Sequence, residues 1–201
     1  MLNARKIEAA LVDIEKARRE ERYVDMNNDS HAVLAKLHGD QSARAWRWRS
    51  RVSYEQHMAK WQKKEIHESY LLAMQSAREA RLGGDSIGIL FAEVNLGGHI
   101  RPAQGKWEEG YRLLARAYMT AVDIRSQTSD GAEMQRSERV IMNALTLRIA
   151  LAIKYTHDWL YVEEWLEALR ANSIFALYKE EGWARELVHD AENFVTKHMT
   201  S

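Results

Sequence analysis

The chain of 201 residues is long enough to bury a sizeable core, and its 29 basic side chains are balanced by 29 acidic ones. This balance argues against a dedicated DNA-coating protein, because such proteins neutralise phosphates with a clear excess of lysine and arginine. The absence of cysteine excludes disulfides, zinc-thiolate sites and thiol nucleophiles together.

The N-terminal stretch MLNARKIEAALVDIEKARREERY has charges scattered through it and lacks the unbroken apolar core of a signal peptide. No stretch approaches the roughly 18 apolar residues of a membrane span. The lack of cysteine is compatible with a reducing compartment. We therefore expect a cytoplasmic protein with no membrane partner.

Helix-forming residues dominate the chain. Proline occurs only at Pro102, β-branched residues are scattered, and Ala, Leu, Glu, Arg, Lys and Met are abundant, which predicts an all-α fold. Clusters rich in Gly, Asn, Asp and Ser predict the breaks between roughly eight to ten helices. These clusters are residues 27–29, 39–40, 83–85, 97–105, 129–131, 156–158 and 171–173, and Gly182.

Residues 41–82 contain no glycine or proline, so they form either one very long helix or two helices hinged near residues 62–65. At their start, RAWRWRSR places four arginines and two tryptophans in residues 44–51, which we call the Arg/Trp strip. At about 100° per residue, two roughly opposite faces of the helix are apolar, with Arg44, Arg47 and Arg51 between them. One face carries Trp46, Ser50, Ser53, Tyr54, His57 and Trp61, and the other carries Trp48, Val52 and Ala59.

A helix with two apolar faces packs on a neighbour on each side, as a layer of a helical stack does. We therefore interpret the tryptophans of the Arg/Trp strip mainly as core residues. Trp46 and Trp61 are predicted to be mostly buried. Arg47 and Arg51 are predicted to point into solvent or across a groove.

From Phe91 the sequence reads FAEVNLGGHIRPAQGKWEEGYRLLARAYMTA, which resembles a tetratricopeptide repeat. The family places a Leu-Gly pair in its first helix, a glycine in the turn, an aromatic residue early in the second helix, and apolar residues at fixed steps afterwards. The matching positions are Leu96, Gly97, Gly105, Trp107, Gly110, Leu114 and Ala117. Two features depart from the family: the turn has an additional residue and contains Pro102, and Val122 replaces the closing proline.

Two weaker copies flank this repeat. In the preceding one, Ala73, Ala77 and Ala80 stand where Gly110, Leu114 and Ala117 stand in the clear repeat, at an offset of 37 residues. In the following one, YVEEWLEALRAN is similar to KWEEGYRLLARA at an offset of 55 residues, so either its first helix is extended or this stretch is not a homologous repeat. The resemblance implies antiparallel helix-pair repeats that form a short right-handed α-solenoid. Residues 41–172 would form the repeats, residues 1–40 the N-terminal flanking helices and residues 173–201 the C-terminal capping helices, in one compact domain.

The sequence contains no HExxH, Walker-type or GxGxxG pattern, so we predict no enzyme, no cofactor and no metal. Glu186 and His189 form a single Glu-x-x-His, whereas a di-iron bundle needs two such motifs. His57 and His67 bracket the predicted hinge, and an acid/base site there stays open as an alternative.

Charge is distributed unevenly along the chain. Residues 36–64 contain eight basic and two acidic side chains, whereas residues 158–192 contain three basic and nine acidic ones. One end of the stack is therefore predicted to be positive and the other negative. This asymmetry favours an acidic partner on the basic end, or head-to-tail self-association.

The resemblance implies a protein-interaction module, a scaffold or regulatory subunit that binds a peptide or a partner helix in its groove. The predicted partner-binding residues are Arg47, Arg51, Asn95, His99 and Arg148. Asn95 precedes the Leu-Gly pair, where peptide-binding members of the family hold an asparagine that bonds the ligand backbone. We expect an acidic protein or peptide that docks on the Arg/Trp strip. The alternatives are nucleic-acid binding by that strip and an all-helical enzyme or small-ligand receptor.

Overall fold

The computed structural model describes residues 4–156 and 159–199, and over these residues the chain is all-α, with no strand. The prediction of an all-α fold is confirmed. The helices are α1 (Ala4–Arg19), α2 (Tyr23–Lys36), α3 (Ala43–Gln62), α4 (Ile66–Leu82), α5 (Ser86–Asn95), α6 (Arg101–Ala103), α7 (Trp107–Gln127), α8 (Gly131–Tyr155), α9 (Trp159–Ala171) and α10 (Gly182–Met199). A π-helical segment, Leu96–Ile100, joins α5 to α6, and a 3₁₀ turn, Phe175–Leu177, lies between α9 and α10.

The chain divides into two compact units, Met1–Ala92 and Glu93–Ser201. In the first unit, α1 and α2 pack on each other and on α3, and α3 packs on α4, so the helices predicted to flank the repeats belong to the same unit as the Arg/Trp strip. In the second unit, α7, α8, α9 and α10 pack in succession. Within the described part of the chain, no helix combines the length and the apolar character that crossing a bilayer requires.

The core of the first unit lies between α1, α2 and one face of α3. Its buried side chains are Ile7, Leu11, Ile14, Ala17, Met26, Val33, Leu37, Ala45, Trp48, Val52 and Ala59. The opposite face of α3, with Ser50, Ser53 and His57, is buried as well, and α3 packs extensively on α4. The predicted use of two faces of this helix is therefore confirmed.

The helical conformation is interrupted between α3 and α4 at residues 63–65, where Lys64 has a φ of 61°. Residues 41–82 therefore form a hinged helix pair rather than one long helix. The predicted break at residues 27–29 is wrong, because α2 runs through them. Met26, Ser30 and Val33 are buried on one face of α2, and this packing outweighs the weak helix propensity of the intervening Asn and Asp residues. The real break precedes α2, where Glu21 has a φ of 57°.

One helix pair of the second unit joins residues 93–103, from the last residues of α5 through α6, to α7. Arg116 Nη2 donates to Glu93 Oε1 at 2.7 Å, and Gly97 lies against Gly110. Residue numbers therefore rise along the first helix in the direction in which they fall along α7, so the pair is antiparallel. A Cβ at Gly97 would lie 2.7 Å from the carbonyl oxygen of Gly110, so only glycine permits this approach. Both glycines are positions that match the repeat pattern in the sequence.

The predicted break at residues 97–105 is shorter than expected. The chain stays helical through the π-helical segment and α6, and the turn occupies only residues 104–106, with Gly105 at a φ of 76°. Beyond that turn, α7 continues past Val122 to Gln127. Then α8 begins after Asp130, whose side chain accepts hydrogen bonds from the backbone amides of Ala132 and Glu133 at 2.8 and 3.0 Å. Of the break predicted at residues 156–158, only Thr156 is described, just after α8, and His157 and Asp158 lie outside the described residues.

Candidate functional site

The Arg/Trp strip is tied into the first unit by hydrogen bonds. Trp48 is 5% exposed, and its Nε1 donates to Glu8 Oε1 at 2.6 Å. The other oxygen of Glu8 accepts from Arg51 Nη1 at 2.5 Å. Arg47 Nε donates to the carbonyl oxygen of Gly83 at 2.7 Å, at the C-terminal end of α4. Glu55, one helical turn after Arg51 on α3, pairs with Arg18 of α1 at 2.5 Å, and the carboxylate that pairs with Arg51 is that of Glu8 on α1.

The remaining arginines of the strip stack on its tryptophans. The Arg49 guanidinium lies 4.4 Å from the centroid of Trp46 and also donates to the carbonyl oxygen of Leu37. Arg44 lies 6.0 Å from the centroid of Trp48. Trp46 retains partial exposure, as does Trp61 at the far end of α3. The strip therefore connects α1, α2 and α4 through α3, whereas partner binding by Arg47 and Arg51 stays a prediction, as does binding of nucleic acid.

A buried polar seam separates α3 from α4. Ser50 and Ser76 each donate to the other's carbonyl oxygen at 2.9 Å. His57 Nδ1 lies 2.9 Å from Ser69 Oγ, and burial lowers the pKa of His57 to about 4. A neutral, buried imidazole of this kind serves packing better than proton transfer near neutral pH. His67 is exposed on α4, so the structure places the two predicted acid/base histidines in different environments.

In the second unit, Asn95 and His99 lie at the π-helical segment. Asn95 is 5% exposed, and its Nδ2 has no hydrogen-bond partner among the described residues. His99 is half-buried within the segment itself. A Cβ at Gly98 would meet the side chain of Leu147, so α8 crosses the π-helical segment at this point. π-helical turns are rare and occur frequently at functional sites.

Arg148 follows Leu147 on α8 and lies among aromatic rings. Its guanidinium carbon is 4.0 Å from the centroid of Trp165, 5.4 Å from that of Tyr111 and 5.6 Å from that of Tyr118. The side chain is half-buried, and its Nε is buried with no hydrogen-bond partner in the described part of the chain. These distances are those of cation–π contacts.

Tyr161 completes this group on the solvent side. Its ring stacks on Trp165 at 5.7 Å with an interplanar angle of 14°, and Tyr111 also contacts Trp165 at 5.7 Å. Trp165 is buried, whereas Tyr161 is 54% exposed and the adjacent Leu160 is 62% exposed. We call Arg148, Tyr111, Tyr118, Tyr161 and Trp165 the Arg148 cluster.

The structure thus divides the predicted partner-binding residues into two groups. Arg47 and Arg51 belong to the first unit, and Asn95, His99 and Arg148 belong to the second. The aromatic members of the Arg148 cluster were not predicted. A sequence signal for them exists, because Tyr111 and Tyr118 are seven residues apart and Tyr161 and Trp165 are four apart, spacings that place each pair on one helix face.

A second feature of this unit is an open cleft of about 420 Å³. It is bounded by Arg170, Phe175, Arg185 and His189, among other residues. His189 Nε2 lies 3.0 Å from Asn193 Nδ2, and Arg170 pairs with Glu192 across the rim. Residues 4–156 and 159–199 hold no group of three or more histidines and carboxylates arranged to bind a metal.

Comparison with known proteins adds no relative: the chain matches no family model, no curated protein and no solved structure. Function is therefore argued from the geometry of the two units alone.

Proposed function

We propose that this protein is a protein-interaction module whose second unit binds an extended segment of a partner protein at the Arg148 cluster. The composition of the cluster supports this role, because Trp, Tyr and Arg dominate the residues that contribute most to protein–protein binding. Each type is present within one set of mutual ring contacts. We also propose a cytoplasmic location for the module.

The observation that carries the proposal is the combination of exposure and order at Tyr161. More than half of this side chain is exposed, yet its ring is stacked on the buried indole of Trp165. An exposed aromatic ring that is already held in place offers contact area to a partner at little further cost in conformational entropy.

The proposal that the chain is built from tetratricopeptide-like repeats has separate support. α3 pairs with α4, residues 93–103 pair with α7, and Gly97 and Gly110 are in contact within the second pair. A π-helical turn accommodates one extra residue in a helix, which accounts for the additional residue before Gly105. The long α8, with 25 residues, accounts for the extended offset of the third copy. Repeats of this kind bind peptides along their stacked helices.

The proposal is tested by selecting peptides from a display library of random sequences on the wild-type protein and measuring their dissociation constants by fluorescence anisotropy. Tyr161→Ala is expected to weaken the selected peptides at least about tenfold, or about 1.4 kcal/mol. Leu177→Ala is the matched control, because Leu177 is 74% exposed in the same unit but lies outside the Arg148 cluster. The control is expected to bind like wild type.

Two results would contradict the proposal. One is a failure to enrich any peptide on the folded protein. The other is a set of peptides that bind Tyr161→Ala normally but lose affinity for the double variant Arg47→Glu, Arg51→Glu, since this would place the site on the Arg/Trp strip of the first unit.

A further inference from the structure

Arg148 is a cation without an anion in the described part of the chain. Its guanidinium makes neither a hydrogen bond nor an ion pair with residues 4–156 or 159–199, and it lies instead against the rings of Trp165, Tyr111 and Tyr118. Other arginines of the protein do find acceptors: Arg116 pairs with Glu93 at 2.7 Å, for example. A half-buried charge has lost part of its hydration, so the missing acceptor is costly.

The contacts that Arg148 does make leave its hydrogen-bonding capacity unused. A cation–π contact engages the face of a ring with the cation, but it accepts no N–H of the guanidinium in the way that an oxygen does. The guanidinium has five N–H donors in a planar fork. The side chain keeps partial exposure, so solvent and solutes reach part of this fork.

The surrounding rings also hold the guanidinium in a defined position. Trp165 is 5% exposed and lies nearest, at 4.0 Å, and Tyr111 is itself in contact with Trp165. A donor fork that is fixed before binding loses less entropy when it binds than a free arginine does. The arrangement therefore suits recognition of a planar acceptor with two oxygens.

A carboxylate matches this receptor better than a phosphate does. A carboxylate takes two parallel N–H···O bonds from one guanidinium and carries a single negative charge, which one arginine balances. Phosphate groups carry nearly two charges and are held by clusters of arginines, whereas Arg148 is the only cation of the Arg148 cluster. Glu164, adjacent to Trp165 on α9, is exposed and forms no ion pair with Arg148, so the chain does not supply the carboxylate there.

We propose that Arg148 binds a carboxylate of the partner segment, with Tyr161, whose ring is stacked on Trp165, contacting the apolar part of the same segment. This inference rests on the proposed function, since it names the chemistry of the ligand at the same site. The carboxylate belongs either to an aspartate or glutamate side chain or to the C-terminus of the partner, and the two sources share the same chemistry.

The test uses the peptides selected on the wild-type protein, each made in three forms. One form is unchanged, one has every Asp and Glu replaced by Asn and Gln, and one has an amidated C-terminus. Dissociation constants are measured against wild type, Arg148→Gln, Arg148→Lys and Arg112→Gln. Arg112 is the matched control, because it is exposed on α7 beside Tyr111 and forms no ion pair within the described residues.

For wild type, we expect one of the two neutralised forms to bind at least about tenfold more weakly than the unchanged peptide. The form that loses affinity identifies the source of the carboxylate. Arg148→Gln is expected to weaken the unchanged peptide by a similar factor but to bind the neutralised form as wild type does, and Arg148→Lys is expected to be intermediate. Arg112→Gln is expected to bind all three forms like wild type.

The inference is overturned if both neutralised forms bind wild type within about twofold of the unchanged peptide. It is also overturned if Arg148→Gln weakens the unchanged and neutralised forms equally, because that result assigns Arg148 a structural role only. In both cases the proposed function survives, since peptides were selected and still depend on Tyr161. Failure to select any peptide contradicts the proposed function itself.

Discussion

The close contact between Gly97 and Gly110 predicts that adding a single methyl group at residue 97 destabilises the protein. In Gly97→Ala, the new Cβ would lie 2.7 Å from the carbonyl oxygen of Gly110, about 0.7 Å inside ordinary van der Waals contact, which begins near 3.4 Å. It would also lie 3.0 Å from Leu113 Cβ and 3.1 Å from Leu114 Cγ. The closest of these atoms belongs to the backbone of α7, so no side-chain rotation relieves the clash, and the two helices must separate.

Overpacking of this kind costs about 1 to 3 kcal/mol. Replacing a helical glycine by alanine otherwise stabilises a helix by up to about 1 kcal/mol. We therefore expect Gly97→Ala to lower the free energy of unfolding, measured by urea denaturation, by about 1 to 2 kcal/mol. Gly131→Ala is the control, because a Cβ there meets no atom within 4 Å, and it is expected to be neutral or slightly stabilising. Equal stability of the two variants would refute the close approach.

Three further predictions concern buried polar groups, each measured by urea denaturation. The folded-state pKa of His57 is about 4, below the ordinary 6.5, so the unfolded chain binds a proton at His57 more readily than the folded protein does between these values. The free energy of unfolding should therefore be highest above pH 6.5 and fall by up to about 3 kcal/mol as the pH is lowered toward 4. A parallel pH profile for His57→Gln would contradict this. Glu8→Ala, which leaves Trp48 Nε1 unpaired, should cost about 1 kcal/mol more than Glu8→Gln, which keeps an acceptor, and equal losses would contradict the role of that bond. Asn95→Leu removes an unpaired buried donor and should be neutral or stabilise the protein by about 1 kcal/mol, whereas a clear loss would show that the amide supports the fold.

Much of the fold could be predicted because helix periodicity is a local property of the sequence. The wheel of α3 placed Trp48 and Val52 on one buried face and Ser50 and Ser53 on the other, as the structure has them. Gly97 and Gly110, which match the repeat pattern in the sequence, do lie against each other in the structure. The break expected at residues 27–29 failed because burial of Met26 and Val33 outweighs local propensity.

The candidate site was harder to predict because it depends on contacts between distant residues. Arg148 was expected to bind a partner from its position alone, but its ring neighbours come from α7 and α9, so no local pattern joins them. Conversely, the nearest carboxylate to Arg51 in the sequence is Glu55, but Glu55 pairs with Arg18, and Arg51 pairs with Glu8, which lies 43 residues away. Charge patterns along one helix describe only the neighbours within that helix.

The most direct test of the central claim, that partner segments bind the Arg148 cluster, is an NMR titration of the ¹⁵N-labelled protein with a selected peptide. The side-chain signals followed are Arg148 Nε–H and the indole N–H of Trp165, assigned with Arg148→Lys and Trp165→Phe. We predict that both signals shift progressively as peptide is added. The fitted titration curves should give the dissociation constant measured by anisotropy. Saturation with both signals unmoved, and with shifts confined to the N–H groups of Arg47, Arg51 and Trp48, would contradict the claim and place the binding surface on the Arg/Trp strip.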